Sequence, residues 1–165
     1  MDGDFSNLNQ ITEIAGKNNA VVILDDAHGD FVVGKDGKGT ANHFGVSKKI
    51  DVYISSLSKG LGSFGGYAAS KKNIIEFCIN KSKSFIYTSA LPGILIHDAT
   101  KRFESKRERN RKKLWKNIKK FSSGLKKIGF NVNSNSQIFP IIVGKEKTTM
   151  QFGEYLFKME FLHSQ

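Results

Sequence analysis

Lys59 is the residue on which chemistry can be built. It stands in Ser55-Ser56-Leu57-Ser58-Lys59-Gly60-Leu61-Gly62-Ser63-Phe64-Gly65-Gly66-Tyr67, between a hydroxyl-rich approach and a glycine-rich exit. Apolar, β-prone residues flank the stretch, Asp51-Val52-Tyr53-Ile54 before it and Tyr67-Ala68-Ala69 after, so the lysine is expected where one buried strand ends and another begins. Glycines at 60, 62, 65 and 66 permit close backbone approach and left-handed dihedrals. In a partly dry loop the ammonium form of a lysine is disfavoured, and the amine becomes a nucleophile toward carbonyls. The plainer alternative is a glycine-rich hairpin carrying one solvated lysine. A phosphate loop fits poorly, because the order of glycines and lysine matches neither the dinucleotide fingerprint nor the nucleotide-triphosphate loop.

A second group follows Ala20-Val21-Val22-Ile23-Leu24, a run apolar on both faces, as a central strand of a mostly parallel sheet requires. At its carboxyl end sit Asp25-Asp26-Ala27-His28-Gly29. Ligands of open α/β sheets bind outside the carboxyl ends of the strands, so a carboxylate and an imidazole there are site candidates. Taken singly, Asp25 and Asp26 read as a cap or turn and His28 as a surface histidine. Paired with Lys59 at a second strand end, they fit the needs of pyridoxal phosphate (PLP): a lysine for the aldehyde, a carboxylate to keep the pyridine nitrogen protonated, and hydroxyls for the phosphate.

The elements that must position these groups can be traced in order. Ser6 is the expected N-cap of a short helix bearing Leu8, Ile11, Ile14 and Ala15, ended by Gly16 and Asn18-Asn19. A helix followed at once by a strand is half of a βαβ unit. Gly34 to Gly39 reads as a glycine-rich turn and residues 42–46 as a brief helix. Residues 71–81 form a helix with Ile74, Ile75, Phe77 and Cys78 expected inward, the lone Cys78 as a buried thiol. Ser84-Phe85-Ile86-Tyr87-Thr88-Ser89-Ala90-Leu91-Pro92 is expected as a short strand, and Pro92 opens a helix running, with a kink, to Lys127. Ile138–Val143 is an expected edge strand because of Pro140, residues 148–158 a final helix, and the tail from Met159 holds no element and looks cut off.

The net charge of +11 is concentrated. Residues 101–127 hold thirteen Lys or Arg against Glu104 and Glu108, and the rest of the chain is neutral. Leu114, Ile118, Phe121, Leu125 and Ile128 recur at three- and four-residue steps, giving one apolar stripe beneath a basic face. A solvated helix face is the simpler reading. A nucleic-acid-binding module acting through 101–127 is the competing one, weakened because no aromatic residues interleave the basic side. No run of eighteen apolar residues and no basic-then-apolar leader is present, and a lone cysteine suits a reducing cytoplasm.

Asp25-Asp26-Ala27-His28-Gly29, Ser56-Leu57-Ser58-Lys59-Gly60-Leu61-Gly62 and Phe85 to Pro92 resemble, in order and spacing, the α-oxoamine synthases, a branch of the fold-type-I PLP enzymes. The likeness extends over most of residues 1–158. It implies an α/β fold: residues 1–100 as the carboxyl-terminal half of a PLP-binding large domain with a mostly parallel sheet and flanking helices, 101–128 as a basic connecting helix, and 129–165 as the start of a small α+β domain. It implies Lys59 as the catalytic lysine that anchors the cofactor and moves protons, Asp25 as the pyridinium partner, and His28 as donor near the ring hydroxyl. By the same resemblance Ser56, where the family usually has threonine, would contact the phosphate, and Thr88 and Ser89 match the pair that in the family reaches the phosphate of the neighbouring subunit. The implied reaction is a decarboxylative condensation of an amino acid with an acyl-CoA by a cytoplasmic homodimer needing no metal. The segment Gly34-Lys35-Asp36-Gly37-Lys38-Gly39-Thr40 favours the members that use L-alanine and a pimeloyl-type acyl-CoA in biotin synthesis, with glycine C-acetyl transfer second. Pro92-Gly93 replaces the usual paired prolines. The family's amino-terminal half and its carboxylate-holding arginine have no counterpart, so the chain is expected to be a central fragment, inactive alone, with exposed apolar sheet surface and a tendency to aggregate.

Overall fold

The computed structural model describes residues 2–159; the tail expected to hold no element lies outside the described residues except for Met159. The chain divides into two compact units, Phe5–Ile118 and a second that joins the start of the chain, through Asp4, to residues from Lys119 onward.

The first unit is built on three strands, β1 (Ile23–Asp25), β2 (Val52–Ser56) and β3 (Gly66–Ser70), in that spatial order. β1 and β2 are parallel, with Asp25 opposite Ile54, whereas β2 and β3 are antiparallel, with Ser56 opposite Gly66. Connection length explains both. Residues 26–51 leave room for a crossover, but residues 57–65 are too few, since a parallel return needs about a dozen residues or more. The described sheet is therefore small and mixed rather than mostly parallel.

Helix α1 (Leu8–Lys17) is capped by Asn7, one residue later than expected, its Oδ1 accepting from the Gln10 N–H at 3.2 Å. Leu8 and Thr12 are buried while Ile11 and Ile14 face outward, so the buried stripe is not the one the apolar spacing suggested. After β1 the chain turns through Gly29–Val33, packs Phe31, Val32 and Val33 into the core, and enters α2 (Gly39–His43), three residues before its expected place. Core residues Val22, Ala41, Val46 and Leu61 complete this layer.

From β3 to residue 104 the unit is largely open to solvent. In α3 (Lys72–Lys81) Ile74 and Ile75 are half-buried, but Phe77 and Cys78 are exposed, which corrects the expectation of an inward face and a buried thiol. The strand expected over 84–92 is instead the short helix α4 (Lys83–Ile86) and an irregular segment. α5 (Gly93–Glu104) follows Pro92, and the chain breaks at Ser105 before α6 (Glu108–Lys127), so two helices stand where one kinked helix was expected. The first half of α6 docks on the core turn: the Trp115 indole N–H donates to the Val32 carbonyl at 3.1 Å and Arg111 to that of Gly34. Val21 and Ile23 are largely exposed, so β1 is not covered on both faces by the described residues.

In the second unit Leu125, Val132 and Ser136 are buried, and Phe121 meets Phe139 edge-on at 5.2 Å. Asn135 N–H and the Ser134 hydroxyl both donate to the Gly3 carbonyl. Residues 138–143 form no strand; with Pro140 among them and no partner strand among the described residues, nothing fixes a ladder. The last helix, α7, spans Glu146–Lys158.

Candidate active site

Parallel pairing of β1 and β2 puts their carboxyl ends at one sheet edge, and that edge receives Asp25 at the end of β1 and Ser56 at the end of β2, with Lys59 three residues on. The Asp26 N–H donates to the Ile54 carbonyl at 2.8 Å, extending the pairing one residue past Asp25. Asp25 is exposed and its Oδ1 accepts from the Ala27 N–H at 3.0 Å, an Asx turn that aims the carboxylate locally. His28, half-buried, lies in the same turn.

The loop between β2 and β3 is closed by its own backbone. Leu57 N–H donates to Gly65 O at 2.9 Å, Ser63 N–H to Leu57 O at 2.8 Å, and Gly62 N–H to Lys59 O at 3.0 Å. Gly62 and Gly65 hold φ of 72° and 102°, the region in which glycine is strain-free. Leu61 is buried as the loop's anchor, and Gly60 lies so close to the 30–32 backbone that an added Cβ would sit 2.6 Å from the Asp30 carbonyl oxygen. Ser56 Oγ and Ser58 Oγ are 2.8 Å apart, two hydroxyls on the approach to Lys59. Lys59 itself is exposed, so the dry setting expected for its amine is not provided by the described residues. Thr88 and Ser89 lie on the exposed segment between α4 and α5, which runs beside the loop's exit: a Cβ on Gly65 would be 3.1 Å from Leu91 Cδ1.

Three features escaped the sequence reading. Asp26 turns inward and its carboxylate accepts from the Thr40 N–H (2.6 Å), the Thr40 hydroxyl (2.8 Å) and the Tyr53 hydroxyl (2.8 Å). Burial, chiefly, pushes its carboxyl above the ordinary value, against the pull of these donors. Burial likewise raises the hydroxyls of Tyr53 and Tyr67, the latter donating to Asp30 at 2.6 Å. The third is Asp98 on α5, whose Oδ2 accepts from the Ser63 hydroxyl at 2.6 Å while Arg102 Nε reaches both oxygens. Hydrogen bonding from Ser63, then from Arg102, holds the Asp98 carboxyl below its usual range. The Asp-Asp pair gave no hint of which carboxylate turns in; strand period alone, which puts Asp25 on the face of Ile23 and Asp26 on that of Leu24, could not decide it because the run before them is apolar on both faces.

The model of the aminotransferase class I and II family matches residues 1–163. The chain belongs to that family. Curated relatives include the 8-amino-7-oxononanoate synthases of Thermosipho melanesiensis, 40% identical over 96% of this chain, and of Treponema denticola, 38% identical over 96%; each match covers 41% of the relative. The chain thus spans about two-fifths of the length of the curated relatives it matches. Among solved structures, serine palmitoyltransferase from S. paucimobilis with a bound PLP–myriocin aldimine superposes with a TM-score of 0.82 at 24% identity, covering 93% of this chain and 42% of that one. The 8-amino-7-oxononanoate synthase of Francisella tularensis gives 0.76 at 23% identity, covering 96% and 48%. Within the family, then, the chain carries part of the fold-type-I transferase fold, and its small mixed sheet is the portion of that sheet these residues supply.

Proposed function

We propose that the protein carrying this chain is an α-oxoamine synthase that uses PLP to condense L-alanine with a pimeloyl-type acyl-CoA, releasing CO2, as in biotin synthesis. What supports the reading is that parallel β1 and β2 end at one sheet edge, Asp25 closing the first and Ser56 the second, with Ser58 and Lys59 just beyond, in a chain 36–40% identical to proteins named 8-amino-7-oxononanoate synthase. That donor set fits the cofactor: an exposed carboxylate suits a pyridinium nitrogen, an exposed amine an aldehyde, and hydroxyls a phosphate. When bound, PLP supplies an electron sink for the carbanion left by CO2. Asp25, oriented by the Ala27 N–H, holds the proton on the ring nitrogen, and His28 donates toward the ring hydroxyl. Lys59 anchors the cofactor and then moves protons at the substrate's α-carbon. Ser56 binds the phosphate, and Thr88 and Ser89 reach the phosphate of the other subunit of a homodimer.

In this reading residues 1–100 belong to the cofactor-binding domain, 101–128 connect, and 129–165 begin a smaller domain, all in a cytoplasmic enzyme; among the described residues no helix is long and apolar enough to cross a membrane. The reading assigns the basic stretch no nucleic-acid partner, and it is supported by three of its thirteen cations being engaged within the chain, Arg102 with Asp98, Arg107 over the Phe31 and Phe103 rings, and Arg111 with Glu108 and Gly34.

The test uses the complete protein. PLP followed by borohydride should label one peptide, the one containing Lys59, and Lys59→Ala should abolish the label. Asp25→Asn should weaken cofactor retention by about tenfold, the worth of one charge-assisted hydrogen bond. Free CoA release should be fastest with L-alanine and pimeloyl-CoA. Fastest release with glycine and acetyl-CoA would move the assignment to a glycine C-acetyltransferase, and label spread over the lysines of residues 101–127 with Lys59 unmodified would end it.

A further inference from the structure

We propose that Asp98 is a positioning residue for Lys59, acting through Ser63. The inference rests on the reading of Lys59 as the cofactor-anchoring amine and adds a group from a different element to it. The Lys59 turn is fastened firmly on one side, where Leu61 is buried and Gly60 lies against the Asp30 carbonyl. On its other side Gly62 and Gly65, both at positive φ, flank Ser63, and glycines offer the backbone little resistance to swinging. Ser63 supplies the tie. Its hydroxyl donates to Asp98 at 2.6 Å, a short charge-assisted bond, and Arg102 one turn along α5 grips the same carboxylate at 2.8 and 2.9 Å. The Arg102 guanidinium also lies 3.4 Å from where a Gly62 Cβ would be, so it walls the turn as well as orienting Asp98.

The tie has a consequence for the site. α5 begins at Gly93, four residues after Ser89, and Leu91 lies against Gly65. Asp98 therefore ties the lysine loop to α5, the helix just after the Thr88–Ser89 segment, so the anchoring amine of one subunit and the hydroxyls which that chain presents to the other subunit's phosphate are set by the same helix. An exposed ion pair by itself is worth little. The effect sought here is the aim of a reactive group, where a displacement of about an ångström can cost up to a hundredfold.

The experiment compares the complete, PLP-loaded protein with Ser63→Ala, Asp98→Ala, the double variant and Ser63→Thr. It follows the rate of cofactor loss by its visible absorption, the fraction fixed to the Lys59 peptide by borohydride, and the thermal midpoint. Each alanine variant should lose cofactor about tenfold faster with a lower fixed fraction. The double variant should be no worse than either single one, because both break the same tie. Ser63→Thr, which keeps the hydroxyl, should restore the wild-type rate, and thermal midpoints should stay within about 4 °C. Ser63→Ala removes a single half-buried oxygen and carries the comparison if Asp98→Ala folds poorly. Wild-type loss rates in both alanine variants, additive losses in the double, or failure of threonine to rescue would overturn the tie while leaving Lys59 as the anchor. Absence of label on Lys59 in the wild-type protein would instead remove the reading on which the tie depends.

Discussion

Two regions of the first unit carry large apolar side chains and meet opposite fates. Between Gly29 and Val33 every residue is buried, and the surrounding polar groups, Asp26, Thr40, Tyr53 and Asp30, are matched donor to acceptor. From Lys72 to Glu104 the helices α3, α4 and α5 contain no buried residue, and Phe77, Phe85 and Ile94 stand largely in solvent. The contrast shows that apolar patterning states which face seeks cover, while burial needs a second element to supply it. The turn after β1 has that element in α6, through Trp115 and Arg111. The helices after β3 have only partial cover among the described residues, where Ile74 and Ile75 are half-buried and Phe103 meets the Phe31 ring edge-on.

Glycine substitution gives the largest separation of the two regions. Gly39 has φ of 83°, and an added Cβ would collide with the Asp26 carboxylate and the Tyr53 hydroxyl; Gly93, at the start of α5, has open space around it. Gly39→Ala should cost on the order of 3 kcal/mol, combining left-handed strain with disruption of a buried network, whereas Gly93→Ala should be neutral or stabilise by about 0.5–1 kcal/mol through helix propensity. Urea midpoints of the two variants against wild type measure both. Equal effects would mean that the buried turn is no more constrained than the exposed helix.

Side-chain truncation separates them next. Val33→Ala deletes two methyl groups from a site 2% exposed, and Phe77→Ala deletes a whole ring from a site 64% exposed. The smaller deletion should be the more damaging, about 2 kcal/mol against under about 1 kcal/mol, because only the first leaves a cavity. The same unfolding assay decides it, and a reversal of rank would show that α3 is covered in solution.

These contrasts also mark what the sequence could tell. The apolar runs expected as strands at 20–24 and 51–54 overlap β1 and β2, although β1 begins only at Ile23, and these, the turns after them and the position of Lys59 between two strands were legible because apolar, β-prone runs ending in glycine- and acid-rich turns have few other structures. The antiparallel sense of β3 was legible in principle from the nine-residue connection. Residues 84–92 and 138–143 misled because β-propensity describes fit to a half-buried pleated surface, and here no neighbouring strand offers one among the described residues. Asp26, Asp98 and Trp115 were invisible for a related reason: their partners, Tyr53, Ser63 and Val32, are distant in sequence, and no local period reports a tertiary hydrogen bond.

The smallest expected effect is one of sign, carried by two carboxylates on opposite sides of the comparison. Asp26 is buried, and its carboxyl lies above the ordinary 3.8, chiefly through desolvation. Folding therefore favours its protonated form, and this contribution is fully present below pH 3.8 and lost as pH rises through the higher native value. Asp98 is held below 3.8, first by the Ser63 hydroxyl and then by Arg102. Its contribution is present above pH 3.8 and lost as pH falls through the lower native value. Replacing each carboxyl by an amide removes the titration but keeps the shape, so the two variants should respond to acid in opposite directions. The deficit of Asp98→Asn relative to wild type should shrink on going from pH 6 to pH 3, and only slightly, because solvent screens so open a group. That of Asp26→Asn should grow over the same interval, as the wild-type carboxyl takes up its proton and the amide cannot. Unfolding midpoints at both pH values for the three proteins test the pair together. Parallel changes would mean that Asp26 meets solvent as freely as Asp98, and the distinction between a closed turn and an open helix would not hold at the one place where charge can report it.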